Sequence, residues 1–177
     1  QEAVQGVMSS GKLAAGPDVA AFEQELGRYL GIERIMGLSS ASIGISLALM
    51  DAGIGQGDEV IMSPLTCLAT AMPVLASGAS IRWCDIDLVT GMPDVSEIEA
   101  VASERTKAVL LYHWNGHVAP IDNVTKWAAC HGVVVVEDAT EAFGASVGGV
   151  CLGNRTADYT VLSFHAAKPL NTGEGGA

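Results

Sequence analysis

A chain of 177 residues, 49% hydrophobic and only 16% charged, is long and apolar enough to bury a real core, which excludes a disordered polypeptide. Its net charge of −11, with only nine scattered Lys and Arg, argues against a nucleic-acid partner, because phosphate binding needs clustered basic side chains. No apolar run reaches the length of a membrane span, and the opening Gln1-Glu2-Ala3 carries neither an initiator Met nor a signal-peptide pattern.

Taken in chain order, Gly16-Pro17-Asp18 opens a helix that places Val19, Phe22, Leu26, Tyr29 and Leu30 on one face. Arg34 to Leu38 reads as a short strand, and Ser42 to Ala52 as a helix ended by Gly53. Gly55-Gln56-Gly57-Asp58 is a turn, followed by a strand from Glu59 to Met62 and a helix from about Cys67 to Leu75. Ile81 to Asp85 is the next strand, Asp94 to Ala102 a helix, Ala108 to Tyr112 a strand, Ile121 to Cys130 a helix and Val133 to Glu137 a strand. Gly144 to Gly153 reads as turns, and Tyr159 to Phe164 as the last strand. Strands alternating with helices of this length predict a three-layer α/β/α domain spanning 1–177, with a mostly parallel sheet covered on both faces and right-handed crossovers. The four cysteines, Cys67, Cys84, Cys130 and Cys151, form no CxxC pair, so no zinc site or redox dithiol is indicated. They read as buried thiols in a reducing, cytoplasmic compartment.

Ligands of such sheets bind beyond the carboxyl ends of the strands. That rule selects Ser39 to Ser42, Ser63 to Thr66, His113 to Asn115, Asp138 to Glu141 and Ser163 to Lys168. Asp138 follows a run of valines and Glu137, where a carboxylate is expensive unless paired or functional. It suits the partner of a protonated pyridine nitrogen, though spacing alone favours an N-cap for the next helix. Lys168 suits a Schiff-base lysine or a surface loop. Ser39-Ser40-Ala41-Ser42 precedes a helix start, where free amides and the helix dipole attract anions and where serine also serves as a plain cap. Gly173-Glu174-Gly175-Gly176 lacks the spacing of a Walker or Rossmann loop. Singly these signals are weak; their order along one edge is the informative part.

In that order the chain resembles the DegT/DnrJ/EryC1/StrS family of pyridoxal-phosphate (PLP) dependent sugar aminotransferases. The resemblance rests on Gly16-Pro17-Asp18-Val19, on Ser39 to Ser42 with Leu47-Ala48-Leu49, and on Gly53 to Ile61. It continues through Pro64-Leu65-Thr66, Asp85-Ile86-Asp87, His113-Trp114 with Gly116, Glu137-Asp138-Ala139, Ser163-Phe164 with Lys168, and Thr172 to Gly176. It implies the large domain of a fold-type I PLP enzyme and a homodimer with its active site at the subunit interface. It also implies transfer of an amino group, usually from glutamate, to a nucleotide-linked keto sugar. By position, Lys168 would carry PLP as a Schiff base and shuttle the proton, and Asp138 would pair with the pyridine nitrogen. Ala41 through its amide, with Ser42 and Ser163, would hold the phosphate, and Glu141 would lie near the ring hydroxyl or the lysine.

This sequence departs from the family pattern in several places. The family commonly has Gly-Thr at Ala41-Ser42, Gln at Glu141 and an aromatic residue over the ring at Cys67. Some members carry histidine in place of the lysine and dehydrate sugars, so Lys168 points to the transaminase branch. The chain ends at Ala177, before the antiparallel strand that the resemblance places between Phe164 and Leu38 and before the small C-terminal domain. The expectation is therefore two unpaired sheet edges and a Lys168 tail with no following strand to anchor it. An inactive remnant acting as a binding or oligomerising module is the alternative.

Overall fold

The computed structural model describes residues 1–177. Five parallel strands form one sheet: β1 (Glu59–Met62), β2 (Ser80–Trp83), β3 (Thr106–Tyr112), β4 (Val134–Asp138) and β7 (Tyr159–Val161), in the order β2-β1-β3-β4-β7. The chain moves outward from β1 to β2, then returns to β3 and continues the other way. The order therefore reverses between β1 and β3, which is where open α/β sheets bind ligands. Helices α1 (Glu2–Ser10), α2 (Pro17–Leu30), α3 (Ala41–Asp51), α4 (Leu68–Ala76), α5 (Val95–Val101) and α6 (Ile121–His131) complete the layers.

Successive strand residues split between two apolar clusters, which explains why these strands read as unbroken hydrophobic runs. Val60, Met62, Ala108, Leu110 and Val136 face one way, against Ile45 and Leu49 of α3 and Ala71 and Val74 of α4. Ile61, Val109, Leu111 and Val135 face the other, against Ile98 of α5 and Val124, Trp127 and Ala128 of α6. A third cluster joins Leu26 and Leu30 of α2 to Ala139, Ala142, Leu152 and Phe164. Local chemistry sets the helix ends. Pro17 opens α2, and Gly31, at φ 77°, closes it in a left-handed turn. Asp94 and Glu97 form a reciprocal capping box on α5.

Several sequence expectations shift here. Arg34 to Leu38 forms no strand; only Leu38 pairs, and only with Gly176. α1 is an addition to the expected elements, and none of its residues is buried. Within the Gly-rich stretch, β5 (Ser146–Val147) and β6 (Val150–Cys151) form a hairpin across Gly148-Gly149, whose φ values of 60° and 81° suit a tight mirror-image turn. Tyr29 does not enter the core but stacks on Phe143 at 5.6 Å. Of the four thiols only Cys84 is buried, while Cys67 and Cys130 are exposed, and all four are free.

The expected unanchored tail is not found. Gly176 pairs antiparallel with both Leu38 and Ser163. Its amide and carbonyl exchange bonds with Leu38 (2.9 and 2.8 Å), and Ala177 exchanges bonds with Leu162 (3.1 and 2.8 Å). Phe164 N–H donates to Gly175 O and Thr172 N–H to Phe164 O, both at 2.9 Å. The loop carrying Lys168 is thus closed at both ends. The backbone of Gly176 lies so near α3 that a Cβ there would meet Ala41 N at 2.6 Å and Ser40 C at 2.7 Å.

Candidate active site

Asp138 ends β4 opposite Tyr112 of β3, and it is almost fully buried. Its Oδ2 accepts from Thr70 Oγ1 at 2.7 Å and its Oδ1 from the Thr140 amide at 3.0 Å. Burial raises its carboxyl above the ordinary value, against the lowering effect of these two threonines. Both direct hydrogen bonds come from neutral donors, so the buried acid still lacks a cationic partner.

Lys168 follows the turn that its own amide closes on His165 O (2.8 Å), and its Nζ lies 3.3 Å from Glu141 Oε1. The other Glu141 oxygen accepts the Asn115 amide at 3.1 Å. Asn115 is the sole non-glycine residue with positive φ, 51°, a strained conformation of the kind concentrated at functional sites. Burial opposes ionisation of Glu141, yet Tyr112, the Asn115 amide and Lys168 together hold its carboxyl below the ordinary value. Tyr112 is buried, and desolvation first, then the facing Glu141 carboxylate, push its phenol far above the usual range, with Asp138 and Cys67 adding to the effect. These neighbours bring the ends of β3 and β4, the start of α4 and the Lys168 loop together.

The anion candidates assemble around Gly176. Ser40 caps α3, its hydroxyl accepting from Ile43 N. The amides of Ala41 and Ser42 lie ahead of the first intrahelical bond, from Gly44 N–H to Ser40 O. Ser42 Oγ donates to Ala69 O of α4 at 3.1 Å, fixing the helix start beside the turn that carries Thr70. Ser163, on the far side of Gly176, is buried and its hydroxyl accepts from His165 N at 3.3 Å. Cys67 stands exposed as the residue before α4. Asp138 and Lys168 make no contact with each other; Asp138 is tied to α4 and Lys168 to Glu141.

Sequence reasoning gave no role to Thr70 or Tyr112, and it named His113 and Glu137 without joining them as the pair behind Asp138. His113 and Glu137 are fully buried, with Nε2 3.0 Å from Oε1 but off the line of a good hydrogen bond. His113 Nδ1 accepts from the Ala119 amide at 3.0 Å, so the neutral ring carries its proton on Nε2, towards Glu137. Glu137 Oε2 accepts from Thr160 Oγ1 at 2.7 Å and Gly153 N–H at 3.2 Å. The pair ties β3, β4 and β7 together directly behind Asp138.

A mostly parallel α/β sheet with a helix start, a buried acid and a lysine amine beyond its strand ends has the parts expected of a cofactor-binding domain. The chain belongs to the DegT/DnrJ/EryC1/StrS aminotransferase family, whose model matches residues 1–177. It is 39% identical over 173 residues to the spore coat polysaccharide biosynthesis protein SpsC of Bacillus subtilis, covering 98% of this chain and 44% of SpsC. Among solved structures it superimposes on a family aminotransferase from Brucella abortus with a TM-score of 0.94 at 31% identity, covering 99% of this chain and 49% of that one. NtdA from Bacillus subtilis, solved with bound cofactor PMP, gives a TM-score of 0.90 at 32% identity, covering 98% of this chain and 39% of NtdA. The chain thus spans less than half the length of these relatives.

Proposed function

We propose that residues 1–177 form the cofactor-binding part of a PLP-dependent sugar aminotransferase, with glutamate as amino donor and a nucleotide-linked keto sugar as acceptor. The observation that carries this reading is Asp138: a buried carboxylate whose direct partners are neutral is the natural mate of a protonated pyridine nitrogen. The rest of the donor set fits the same group, with an anion cradle at Ala41, Ser42 and Ser163 and a primary amine at Lys168. PLP, when bound, supplies an electron sink for breaking bonds at the substrate's amino-bearing carbon.

This chain's residues hold and protonate. The α3 amides and serine hydroxyls would hold the phosphate, and Asp138 would keep a proton on the ring nitrogen. Thr70 and Thr140 aim that carboxylate. The Lys168 amine would be the covalent anchor and the base that takes the proton from the substrate's amino-bearing carbon, with Glu141 as its partner. Cys67 stands where the resemblance places a ring-covering group, and a thiol stacks less well than an aromatic side chain.

Two supports come from the surface. Ile43, Leu47 and Met50 of α3 and Leu68, Met72 and Leu75 of α4 are exposed at i, i+4, i+7 spacing on two helices that pack together. We read this face as part of a homodimer interface. A groove of about 1240 Å³ runs from Ala177 between Leu38, α3 and β7, and it fits the antiparallel strand that the family resemblance places there. Four free thiols fit a cytoplasmic setting.

The test is an absorbance spectrum of the full-length protein carrying these residues with added PLP, followed by borohydride reduction and peptide mapping. The expected result is a visible Schiff-base band, reduced onto Lys168 and lost in Lys168→Ala. A wild-type protein that binds no PLP and gives no band would overturn the reading and favour a non-catalytic binding module.

A further inference from the structure

His113 and Glu137 are both 0% exposed, and the chemistry proposed above uses neither. Successive strand residues point to opposite faces of a sheet, so Glu137 lies behind Asp138. Asp138 turns to Thr70 of α4, and Glu137 turns to Thr160 of β7 and to His113. His113 Nε2 and Glu137 Oε1 face each other at 3.0 Å, and neither atom has another partner. Every other polar atom of the two side chains is taken. Ala119 N–H donates to Nδ1 at 3.0 Å, while Thr160 Oγ1 and Gly153 N–H donate to Oε2. The backbone repeats the link, since His113 N–H donates to Asp138 O at 3.1 Å.

We propose that His113 and Glu137 are a positioning pair, which acts through the end of β4 to aim the Asp138 carboxylate. The imidazole is neutral and directs its one proton to Glu137, because Nδ1 already receives the Ala119 proton and has no place for a second. The surrounding positions on this face of the sheet are apolar, among them Val109, Leu111 and Val135. A buried polar pair in that setting carries a desolvation cost that packed apolar side chains do not. What the pair supplies is direction, since a hydrogen bond has a preferred angle and an apolar contact has none. Its bonds run to β7, to the loop before β7 and to the loop before α6. They fix the strand one residue ahead of the acid, where the ladder to β3 is ending. The inference rests on Asp138 being the cofactor's acid, as read above.

The experiment uses cofactor-free full-length protein, so that it stands apart from PLP binding. Ring ¹⁵N spectra of labelled histidine, assigned through bonds to the backbone, read the His113 tautomer with no substitution at all. The expected state is a protonated Nε2 and a bare Nδ1. Side-chain carboxyl resonances of ¹³C-labelled aspartate are then titrated, with Asp138 identified by its loss in Asp138→Asn. Thr70→Val raises the Asp138 midpoint by about one pH unit or more, the shift for one lost hydrogen bond to a buried carboxylate. In His113→Phe, which fills the space without donor or acceptor, and in Glu137→Gln, the same change raises the midpoint by only about half as much or less, because the carboxylate is no longer aimed at Thr70. Val135→Ala removes buried bulk from the same strand and face and leaves the rise at its wild-type size. A charged ring or a proton on Nδ1, no rise with Thr70→Val, a rise as large in both pair variants as in wild type, or one cut equally by Val135→Ala would each overturn the inference. A protein that passes these tests but binds no PLP keeps the pair's role towards Asp138 and loses the function proposed above.

Discussion

Replacing Thr70 by valine keeps the shape of a buried side chain and removes the hydroxyl that donates to Asp138 Oδ2 at 2.7 Å. A hydrogen bond to a charged group contributes about 1.5–3 kcal/mol, against about 1 kcal/mol for a neutral pair. Asp138 is 1% exposed and Thr70 3%, so water cannot replace the lost donor. The full loss is therefore expected while Asp138 is ionised. Burial raises this carboxyl in the folded protein. Its contribution to stability is then present below the ordinary carboxylate range and is lost as pH rises through the raised value. Thr70→Val raises that value further. The difference between variant and wild type should thus be about 1 kcal/mol or less in acid and grow to about 1.5–3 kcal/mol at higher pH. Urea unfolding of cofactor-free protein at a series of pH values from the ordinary carboxylate range up to pH 8 measures how the difference changes. A difference that stays constant across the series, or is larger in acid, would refute the account of Asp138 as a buried acid sustained by Thr70.

Other perturbations separate the parts of the site. Gly176→Ala drives a Cβ into Ala41 N and Ser40 C; we expect at least about 1–3 kcal/mol of lost stability together with weaker PLP binding, read by thermal melts and by a PLP titration. Glu137→Ala leaves Thr160 and Gly153 N–H without their acceptor and opens space beside the buried His113; a loss of about 2–4 kcal/mol is expected, checked by urea denaturation. Gly44→Ala places a methyl 3.0 Å from Val161 Cγ1 and 3.2 Å from Leu38 Cδ1, so α3 should shift from β7 at a cost of about 1–3 kcal/mol, measured the same way.

Much of this architecture was legible because the central strands β1, β3 and β4 are buried on both faces. Glu59–Met62 matched the expected bounds, and β3, β4 and α6 differed by a residue or two, since a long apolar run and a periodic helix each carry their own signal. Arg34 to Leu38 misled because its apolar residues had the right content but only Gly176 to pair with. Asp138, Lys168 and Ser42 stood out as polar groups just after strands. Thr70 did not, because a threonine inside an apolar helix looks like any other, and its partner lies 68 residues away. Tyr112 read only as the end of a strand, and only the fold sets the Glu141 charge near its buried phenol. Glu137 was hidden by its famous-looking neighbour: in a run of valines followed by two acids, spacing alone does not say which acid serves the pocket and which braces the sheet.

Gly176 has a broader effect than filling a tight spot. Because the same backbone touches the cap of α3 on one side and is laced to Leu38, Leu162 and Ser163 on the other, the anion seat and the rim of the sheet are one mechanical part. The chain cannot fray at that rim and keep a well-shaped seat. Occupancy by a phosphate group should therefore act as a clasp on the C-terminal rim, slowing amide exchange at Leu38, Leu162 and Gly176 well before it is felt at the centre of the sheet.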